Sequence, residues 1–323
     1  MKPVFIGGCH RSGTTLLGAL LGAHPSCLTT PESQFKTDAL SGVGLPANNT
    51  ELQGVLKSVL KARSFARWGV NGTMLERADG EEWRDYADFL RQLVKGYGPQ
   101  AGRSSFELWV DHTPKNVRHL TTLFSLFPNA RAIHIVRDGR GVAASVLPLD
   151  WGPNTIIAAA HWWIHHIAFG LAAETFYGEN RVLRVRYEDL VTKPKAELER
   201  ICEWLDIEYV GEMSRGGGFK FAAGFFRYHP LIHEEPDASR ATAWKNALSA
   251  REIRTFESRA CDLLSFLGYQ ELYRDARTAA PERFRTMLLE PLLIATNACR
   301  FRYWRLQKER KLARSAVSEK RDA

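Results

Sequence analysis

Short apolar runs alternate with longer stretches of helical period along most of the chain. The short runs end near Gly, Pro, Asp or Arg, which is typical of buried strands that lead into turns. Predicted strands lie at residues 4–6, 106–110, 132–136 and 182–185, with a loop or short second strand at 29–33. Predicted helices lie at residues 16–21, 52–67, 83–97, 117–127, 156–176, 198–205, 250–267 and 284–312. This alternation indicates an α/β fold, with a doubly wound, mostly parallel sheet flanked by helices.

The chain has 323 residues, which is enough for one large α/β domain or two small ones. We predict a main domain over residues 1–275 and a basic helical C-terminal extension over residues 276–323. Within the main domain, a helical insertion at about residues 50–100 is expected to cover the open end of the sheet. Three consecutive glycines and several aromatic residues in the stretch 211–239 indicate a mobile loop near the ligand site.

The charge balance favours anionic partners without indicating a nucleic-acid-binding protein. Lys and Arg total 44 against 36 Asp and Glu, a formal net charge of +8. A modest basic excess suits an anionic cofactor or an acidic acceptor. Much of that excess follows Cys299, in a tail that forms either a solvated helix face or a peripheral contact with an acidic membrane surface.

Cysteine usage and the absence of long apolar runs favour a cytoplasmic location. The five cysteines are scattered, without a CxxC pair or a zinc-ligand spacing, so reduced thiols are expected. No apolar run reaches about 18 residues, so we expect no membrane span. The first strand begins almost at once, which leaves no room for a signal peptide.

The first strand leads directly into a glycine-bearing loop and then into a helix. Gly8 and Gly13 bracket four residues, which is the spacing of the P-loop in nucleotide-binding enzymes. In such a loop, backbone N–H groups and the positive end of the helix dipole converge on one anion. Thr14 stands in the place of the usual P-loop lysine, and Arg11 supplies the positive charge instead. The loop therefore favours a phosphate-like group, held without the lysine and magnesium of a nucleotide-cleaving enzyme.

Polar side chains follow two further predicted strands. Asp111 and His112 come after one strand, and Arg137 comes after another. Because ligands bind outside the carboxyl ends of the strands in an open parallel sheet, we expect these residues to share a site with Arg11. A second arginine some distance from the first indicates a ligand with two separated anionic groups. Ser145 is eight residues beyond Arg137, about two helical turns, so it can face the same pocket.

Taken in order, these motifs resemble the sulfotransferases that depend on 3′-phosphoadenosine 5′-phosphosulfate (PAPS). The branch most similar includes the protein-tyrosine and heparan-type enzymes and many bacterial members. Residues 11–15 (RSGTT) match the family's loop for the 5′-phosphosulfate. Residues 136–140 (VRDGR) with Ser145 match its 3′-phosphate site, including the spacing from arginine to serine. Residues 186–190, followed by Lys193 and Pro194, resemble the family's strand-end block.

The resemblance covers residue 4 to about residue 207 and implies a set of cofactor contacts. A weaker similarity, at residues 239–245, is to the late segment that closes over the cofactor. Tyr187 either belongs to the core or packs at the nucleotide. The implied cofactor-binding residues are Arg11, Ser12, Gly13, Thr14, Thr15, Arg137, Ser145, Tyr187, Arg240 and Lys245.

The resemblance also implies in-line, metal-independent transfer of the sulfuryl group to an acceptor hydroxyl, with PAP as the product. Arg11 would absorb charge on the leaving oxygen, and a general base would take the acceptor's proton. Glu32 lies where the tyrosine-type enzymes carry their catalytic glutamate, counted from Arg11. His112 resembles the histidine base of the small-molecule branch, at a position where the glutamate branch usually has a lysine. We favour Glu32 as the base and His112 as a cation or donor on the sulfuryl group.

Other functions stay open at this stage. A P-loop kinase would share the loop geometry, with Asp138 in the place of a magnesium-binding aspartate, although the lysine is missing. An inactive nucleotide-binding protein is a second alternative. The histidines at 161, 165 and 166 offer metal ligands without an evident third partner, so no metal site is predicted.

The acceptor is expected to be a carbohydrate hydroxyl first, by analogy with the family. A tyrosyl peptide, a lipid or a small metabolite is the alternative. Aromatic side chains in the insertion and in the late loop are candidates for stacking on a sugar or a phenol. They are Trp68, Phe219, Phe225, Phe226 and Tyr228, and the alternative is that most of them belong to the core.

Overall fold

The computed structural model describes residues 1–70, 83–149, 151–218 and 235–273, with short helical pieces between residues 289 and 303. The chain forms two compact units. The first contains residues 1–137 and 166–241, and the second contains residues 138–165 and 242–323. The predicted boundary at residue 275 does not coincide with these units and stays a prediction.

The sheet lies in the first unit and has five parallel strands. They are β1 (Lys2–Gly8), β2 (Cys27–Thr30), β3 (Leu108–Asp111), β4 (Arg131–Val136) and β5 (Val182–Arg186). Their order across the sheet is β2-β3-β1-β4-β5. On β1, Val4 pairs with Val110 of β3 on one side and with Arg131 of β4 on the other. The predicted doubly wound parallel sheet is confirmed, and the stretch near residue 29 forms the short second strand.

Twelve α-helices have defined bounds among the described residues up to 273. The first six are α1 (Thr14–Gly22), α2 (Phe35–Asp38), α3 (Asn49–Lys61), α4 (Arg63–Ala66), α5 (Tyr86–Gln100) and α6 (Leu120–Leu126). The last six are α7 (Gly139–Val146), α8 (Ile156–Tyr177), α9 (Tyr187–Thr192), α10 (Pro194–Leu205), α11 (Trp244–Ala247) and α12 (Ala250–Phe266). Short 3₁₀ turns occur at Pro114–Arg118, Gly211–Arg215 and Ala238–Ala241.

Alternating side chains on the strands build two separate apolar layers, because neighbours along a strand point to opposite faces. Phe5 and Trp109 belong to one layer, together with apolar residues of α3, α5 and α6. Ile6 and Val110 belong to the other layer, together with α1 and α10. The helical insertion therefore packs against a face of the sheet. The prediction that it covers the open end of the sheet was wrong, because its apolar stripes join the Phe5 layer.

The strand order places a crevice at the carboxyl ends of β1 and β3. Helix α1, which follows β1, packs on the Ile6 layer, whereas α6, which follows β3, packs on the Phe5 layer. The two connections leave neighbouring strands toward opposite faces of the sheet. This is the kind of topological switch point at which open α/β sheets bind their ligands.

Helix α8 is long and apolar enough to cross a membrane by length and composition alone, with 44% of its most apolar stretch buried in the protein. Core helices of water-soluble proteins pass the same test, so this is weak support for a membrane span. Near its end, Glu174 lies 2.6 Å from Nδ1 of His134 on β4 and accepts hydrogen bonds from Arg184 on β5. These contacts tie the end of α8 to the sheet.

Two late segments were predicted as a loop and a basic helix. The start of the loop is anchored: Met213 is fully buried, and a side chain at Gly218 would collide with the backbone at Ala23. The described start of the predicted mobile loop is therefore packed against the protein, and its mobility stays a prediction. Residues 219–234, with Phe219, Phe225, Phe226 and Tyr228, lie outside the described residues. In the predicted C-terminal helix, the described positions are helical and exposed, and most of the basic positions lie outside the described residues.

Candidate active site

The loop between β1 and α1, residues 8–14, adopts the shape of an anion-binding nest and is named here the anion loop. Arg11 (φ 69°) and Gly13 (φ 98°) both have left-handed backbone conformations. A side chain at Gly13 would lie 2.6 Å from the Tyr187 ring, so only glycine fits there. No side chain caps the first turn of α1, whose N–H groups therefore face the loop.

One buried hydroxyl in the anion loop marks where a ligand is expected. Ser12 is fully buried, and its Oγ has no hydrogen-bond partner among the described residues. Buried polar atoms are nearly always paired, so an unpaired hydroxyl next to uncapped helix amides fits a phosphate-bearing ligand. Thr14 and Thr15 begin the helix here and are also buried. The predicted residues of the phosphosulfate loop thus lie together in one turn of chain.

Arg137 leaves the end of β4 and reaches the anion loop directly. Its Nη1 donates a hydrogen bond to the backbone carbonyl of Arg11 at 2.8 Å, and its guanidinium lies 4.2 Å from the centre of the Tyr187 ring. Its Nη2 donates to the carbonyl of Arg240 at 3.3 Å. The sequence placed Arg137 some distance from the loop, and this was wrong because β4 is the immediate neighbour of β1.

The close approach of these cations changes their electrostatics. Burial first, and then the charge of Arg137, lowers the pKa of Arg11. Burial raises the pKa of Tyr187, although Arg137 and Arg240 act in the opposite direction. The Tyr187 ring packs between Gly13 and Arg137, so of the two roles open from the sequence, packing at the ligand loop is the one the geometry favours. Two arginines this close together favour an anion near them.

The remaining predicted cofactor-binding residues, Arg240, Ser145 and Lys245, are exposed or half-buried. Arg240 is exposed and pairs with Asp237 at 3.3 Å. Ser145, on α7, and Lys245, on α11, belong to the second unit. Ser145 is half-buried, and the exposed Lys245 has its Nζ 5.8 Å from the Trp244 ring. Their contacts with a cofactor stay predictions.

Glu32 follows β2 directly and is partly buried. Its carboxylate accepts a hydrogen bond from Nε2 of Gln34. Burial raises the pKa of Glu32, while the Gln34 hydrogen bond and the charge of Arg67 act to lower it. A carboxylate with a raised pKa is a stronger base than an ordinary surface glutamate, which suits the predicted role.

His112 follows β3 and is buried. A side chain at Gly18 of α1 would lie 2.9 Å from the His112 Cβ, so the imidazole packs against α1 one turn beyond the anion loop. Burial lowers the pKa of His112 to about 4, against a small opposing effect of Asp111. The imidazole is therefore neutral near pH 7. Of the two roles predicted for it, this lowered pKa favours the N–H donor over the cation.

The sequence left two roles possible for Asp111, orienting His112 or capping the loop that follows β3. The structure shows the capping role. Its Oδ1 accepts from the backbone N–H of Thr113 at 2.9 Å, and its Oδ2 forms an ion pair with Lys36 at 2.9 Å. Burial raises the pKa of Asp111, but Lys36 and the hydrogen bonds outweigh it and hold the value at about 2. Sequence reasoning missed Lys36 and Asn116, because a lysine among polar loop residues carries no signal of burial.

Asp138 stands where a P-loop kinase has its magnesium-binding aspartate, but in this structure its carboxylate binds Arg140 of the second unit. It caps α7 by accepting from the Arg140 N–H at 2.9 Å, and it forms two further hydrogen bonds with the Arg140 guanidinium. Arg140 also pairs with Glu257 and lies 4.0 Å from the Trp244 ring. These contacts weaken the kinase alternative.

A metal site is not apparent in the part of the chain that the structure describes: no three His, Cys, Asp or Glu side chains are grouped there. His161 and His165 are exposed on α8, whereas His166 is buried and packs edge-on against His10 at 5.7 Å. Trp68, a candidate for stacking on the acceptor, is only 2% exposed and packs against Phe35. Of the two possibilities open for Trp68, stacking on the acceptor or a place in the core, the structure shows the core.

Comparison with known proteins identifies the family. A sequence profile described as the sulfotransferase family matches residues 3–211. The chain belongs to the sulfotransferase family, a class of transferases.

Two curated relatives are similar over different lengths. "Protein-tyrosine sulfotransferase A" of Caenorhabditis elegans is 29% identical over 211 residues, which are 64% of this chain and 50% of the relative. "Nodulation protein NoeE" of Sinorhizobium fredii is 27% identical over 300 residues, which are 85% of this chain and 68% of that protein. The chain thus spans about half the length of the Caenorhabditis relative.

Solved structures support the same fold. The sulfotransferase domain from the curacin biosynthetic pathway aligns with a TM-score of 0.59 at 22% identity, over 83% of this chain and 98% of that domain. The sulfotransferase domain of the Synechococcus PCC 7002 olefin synthase aligns with a TM-score of 0.52 at 23% identity, over 80% of this chain and 94% of that domain. The predicted P-loop-like α/β fold is confirmed.

Proposed function

We propose that the chain is a sulfotransferase that moves the sulfuryl group of PAPS to an acceptor hydroxyl. The observation that carries the proposal is the lysine-less anion loop, with Arg137 hydrogen-bonded to its backbone and its Ser12 hydroxyl unpaired. A P-loop kinase needs a lysine and a magnesium-binding aspartate, and here Thr14 and an Arg140-bound Asp138 take those places.

The residues of the site divide into those that hold the donor and those that handle the proton. PAPS supplies a sulfuryl group on an activated phosphosulfate anhydride. The anion-loop amides and Arg11 hold the phosphosulfate and stabilise charge on the leaving oxygen. Arg137 and the Tyr187 ring flank the same loop and bind the rest of the nucleotide. Arg240, in the first unit, is a further proposed cofactor contact, and the roles of Ser145 and Lys245 stay predictions from the sequence.

Glu32 takes the proton of the acceptor hydroxyl. At the same time the hydroxyl oxygen forms a bond to sulfur, and the bond between sulfur and the nucleotide's phosphate oxygen breaks. General-base catalysis of this kind contributes about 10²–10⁴-fold to the rate. The neutral His112 donates its N–H to a sulfuryl oxygen, which steadies the group in line. Metal ions take no part in this scheme, so a chelator such as EDTA is expected to leave the rate unchanged.

The acceptor is a hydroxyl of a carbohydrate or of a tyrosyl peptide. The family analogy favours carbohydrate, whereas the protein-tyrosine sulfotransferases among the relatives favour tyrosine. A lipid or a small metabolite is the lesser alternative. We propose a cytoplasmic location. For the basic C-terminal extension the prediction stays a solvated helix face, with a peripheral contact with acidic membranes as the alternative.

Two measurements test the proposed function. Calorimetry with PAP is expected to show binding, and ³⁵S-labelled PAPS is expected to label one member of a panel of oligosaccharides and tyrosyl peptides. A peptide with phenylalanine in place of tyrosine is the matched control. No affinity for PAP contradicts the proposal, as does ATP turnover with magnesium. PAP binding without transfer to any hydroxyl or to water identifies an inactive nucleotide-binding protein instead.

A further inference from the structure

A buried ion pair lies beside the two residues proposed to handle the acceptor and the sulfuryl group. Lys36, on α2, and Asp111, at the end of β3, are both fully buried and 2.9 Å apart. The Lys36 ammonium also donates to Oδ1 of Asn116 at 2.6 Å and to Oγ of Ser33 at 3.0 Å. All three of its N–H donors therefore have acceptors.

The carboxylate of the pair is equally well satisfied. Asp111 accepts hydrogen bonds from the Thr113 N–H at 2.9 Å, from Nδ2 of Asn116 at 3.1 Å and from the Ser33 hydroxyl. The same Asn116 amide donates to the carbonyl of Ile6 on β1 at 3.0 Å. We name Lys36, Asp111, Ser33, Asn116 and Thr113 the Lys36 network. It joins the ends of three strands, β1, β2 and β3.

The Lys36 network adjoins both proposed functional residues in the chain. Glu32 immediately precedes Ser33, and His112 lies between Asp111 and Thr113. The two loops are also tied to each other, because the Ser33 N–H donates to Oγ1 of Thr113 at 2.8 Å. We therefore expect a change in this network to shift the backbone of Glu32 and of His112.

We infer that Lys36 is a positioning residue for the transfer reaction, which sets Glu32 and His112 at a fixed separation beside the anion loop through its network. The inference rests on the proposed function. A buried ion pair contributes little net stability compared with apolar residues of the same volume, but its hydrogen bonds admit one geometry. General-base catalysis depends on such geometry, since a misplacement of about 1 Å costs on the order of 10²-fold in rate.

Thr113 allows the link between the two loops to be cut with little change in volume. Thr113→Val removes the hydroxyl that accepts the Ser33 N–H, and Thr113→Ser, the matched control, keeps it. Thr113→Val is expected to lower kcat by about 10- to 100-fold. PAP affinity should stay within about twofold of the wild-type value, because no residue of the anion loop is altered. Thr113→Ser is expected to retain most of the wild-type kcat.

A second variant addresses Lys36 itself. Lys36→Met combined with Asp111→Asn removes both charges together, so neither is left buried without its partner. We expect the same separation of effects, with kcat lowered at least 10-fold and PAP affinity preserved. Glu174→Gln, which alters a partly buried carboxylate bonded to His134 and Arg184, is the control for a loss of stability without a loss of kcat. Circular dichroism establishes folding, and the Thr113 pair alone decides the question if the double variant does not fold.

The assay uses ³⁵S-labelled PAPS with the tyrosyl peptide or oligosaccharide that the wild-type chain sulfates, and PAP calorimetry. A Thr113→Val protein that is folded, binds PAP and turns over at the wild-type rate overturns the positioning role and leaves the proposed function intact. A weakened PAP affinity equal to the loss in kcat also overturns it, because the network would then support the anion loop instead. A wild-type chain without PAP affinity or transfer contradicts the proposed function, and this inference with it.

Discussion

The anion loop and the Lys36 network lie at neighbouring strand ends of one sheet, yet their hydrogen bonding is opposite in character. In the loop, helix amides have no side-chain cap and the Ser12 hydroxyl has no partner among the described residues. In the network, every donor of the Lys36 ammonium has an acceptor, and both oxygens of Asp111 are occupied.

This difference in hydrogen bonding assigns ligand binding to the anion loop and the positioning of side chains to the Lys36 network. A buried polar atom without a hydrogen-bond partner costs free energy. Such atoms are therefore expected mainly where a bound ligand supplies the missing partner. A saturated buried network has nothing left to offer a ligand, so its contribution is to geometry. We therefore expect variants near the anion loop to change binding, and variants near the network to change turnover.

Replacing the proposed base is expected to have the largest effect. Glu32→Gln should lower kcat by about 10²–10⁴-fold, because the acceptor's proton has no recipient. PAP affinity should be nearly unchanged, and Glu199→Gln, at an exposed residue of α10, should leave kcat unchanged.

In the wild-type protein, kcat is expected to fall with decreasing pH through the raised pKa of Glu32, since only the carboxylate accepts a proton. A Glu32→Gln protein with near-normal turnover contradicts the assignment.

The stability of the ligand-free protein is expected to depend on pH through His112. Its pKa of about 4 lies below the ordinary value of 6.5, so the unfolded chain binds more protons between these values. Stability is therefore lost as pH falls from about 6.5 to about 4, by roughly 3 kcal/mol from this one group. Urea unfolding at several pH values measures it, with His112→Asn as the comparison. Equal pH dependence in the two proteins would show that His112 is not buried as a neutral group.

Weakening the grip on the anion loop should have a smaller effect, confined to binding. Arg137→Ala removes a charged donor from the Arg11 carbonyl and, under the proposed function, from the nucleotide. Hydrogen bonds of charged groups contribute about 1.5–3 kcal/mol. PAP affinity should fall by roughly 10- to 100-fold, as measured by calorimetry. Arg200→Ala, on α10, removes a cation paired with Glu197 and is the control for net charge. Equal losses in both variants would indicate a general charge effect instead of a specific contact.

Much of the fold could be predicted from the sequence, because local patterns encode it. The apolar strands, the helices between them and the glycine spacing of the anion loop depend on neighbours in the chain. The register that puts Phe5 and Ile6 on opposite faces follows from the same alternation. The second strand near residue 29 was harder to assign, since four residues carry little periodicity.

The Lys36 network could not be predicted in the same way. Lys36 and Asn116 are 80 residues apart in the chain, and neither residue type is ordinarily buried. Arg137 was placed too far from the anion loop for a related reason: its distance follows from β4 pairing with β1, which no local pattern specifies. Local sequence predicted the candidate ligand-binding groups, while long-range strand pairing determined which residues hold them in place.

The hydrogen bond from Arg137 to the Arg11 carbonyl has a consequence for the thermodynamics of ligand capture. Together with the wedge of Tyr187 against Gly13, it fixes the backbone of residues 11–13 before any nucleotide arrives. A preorganised receptor loses little conformational entropy on association, so more of the electrostatic attraction is retained as affinity. Under the proposed function PAPS and PAP bind this same preorganised loop, so we expect PAP to inhibit the reaction as a product.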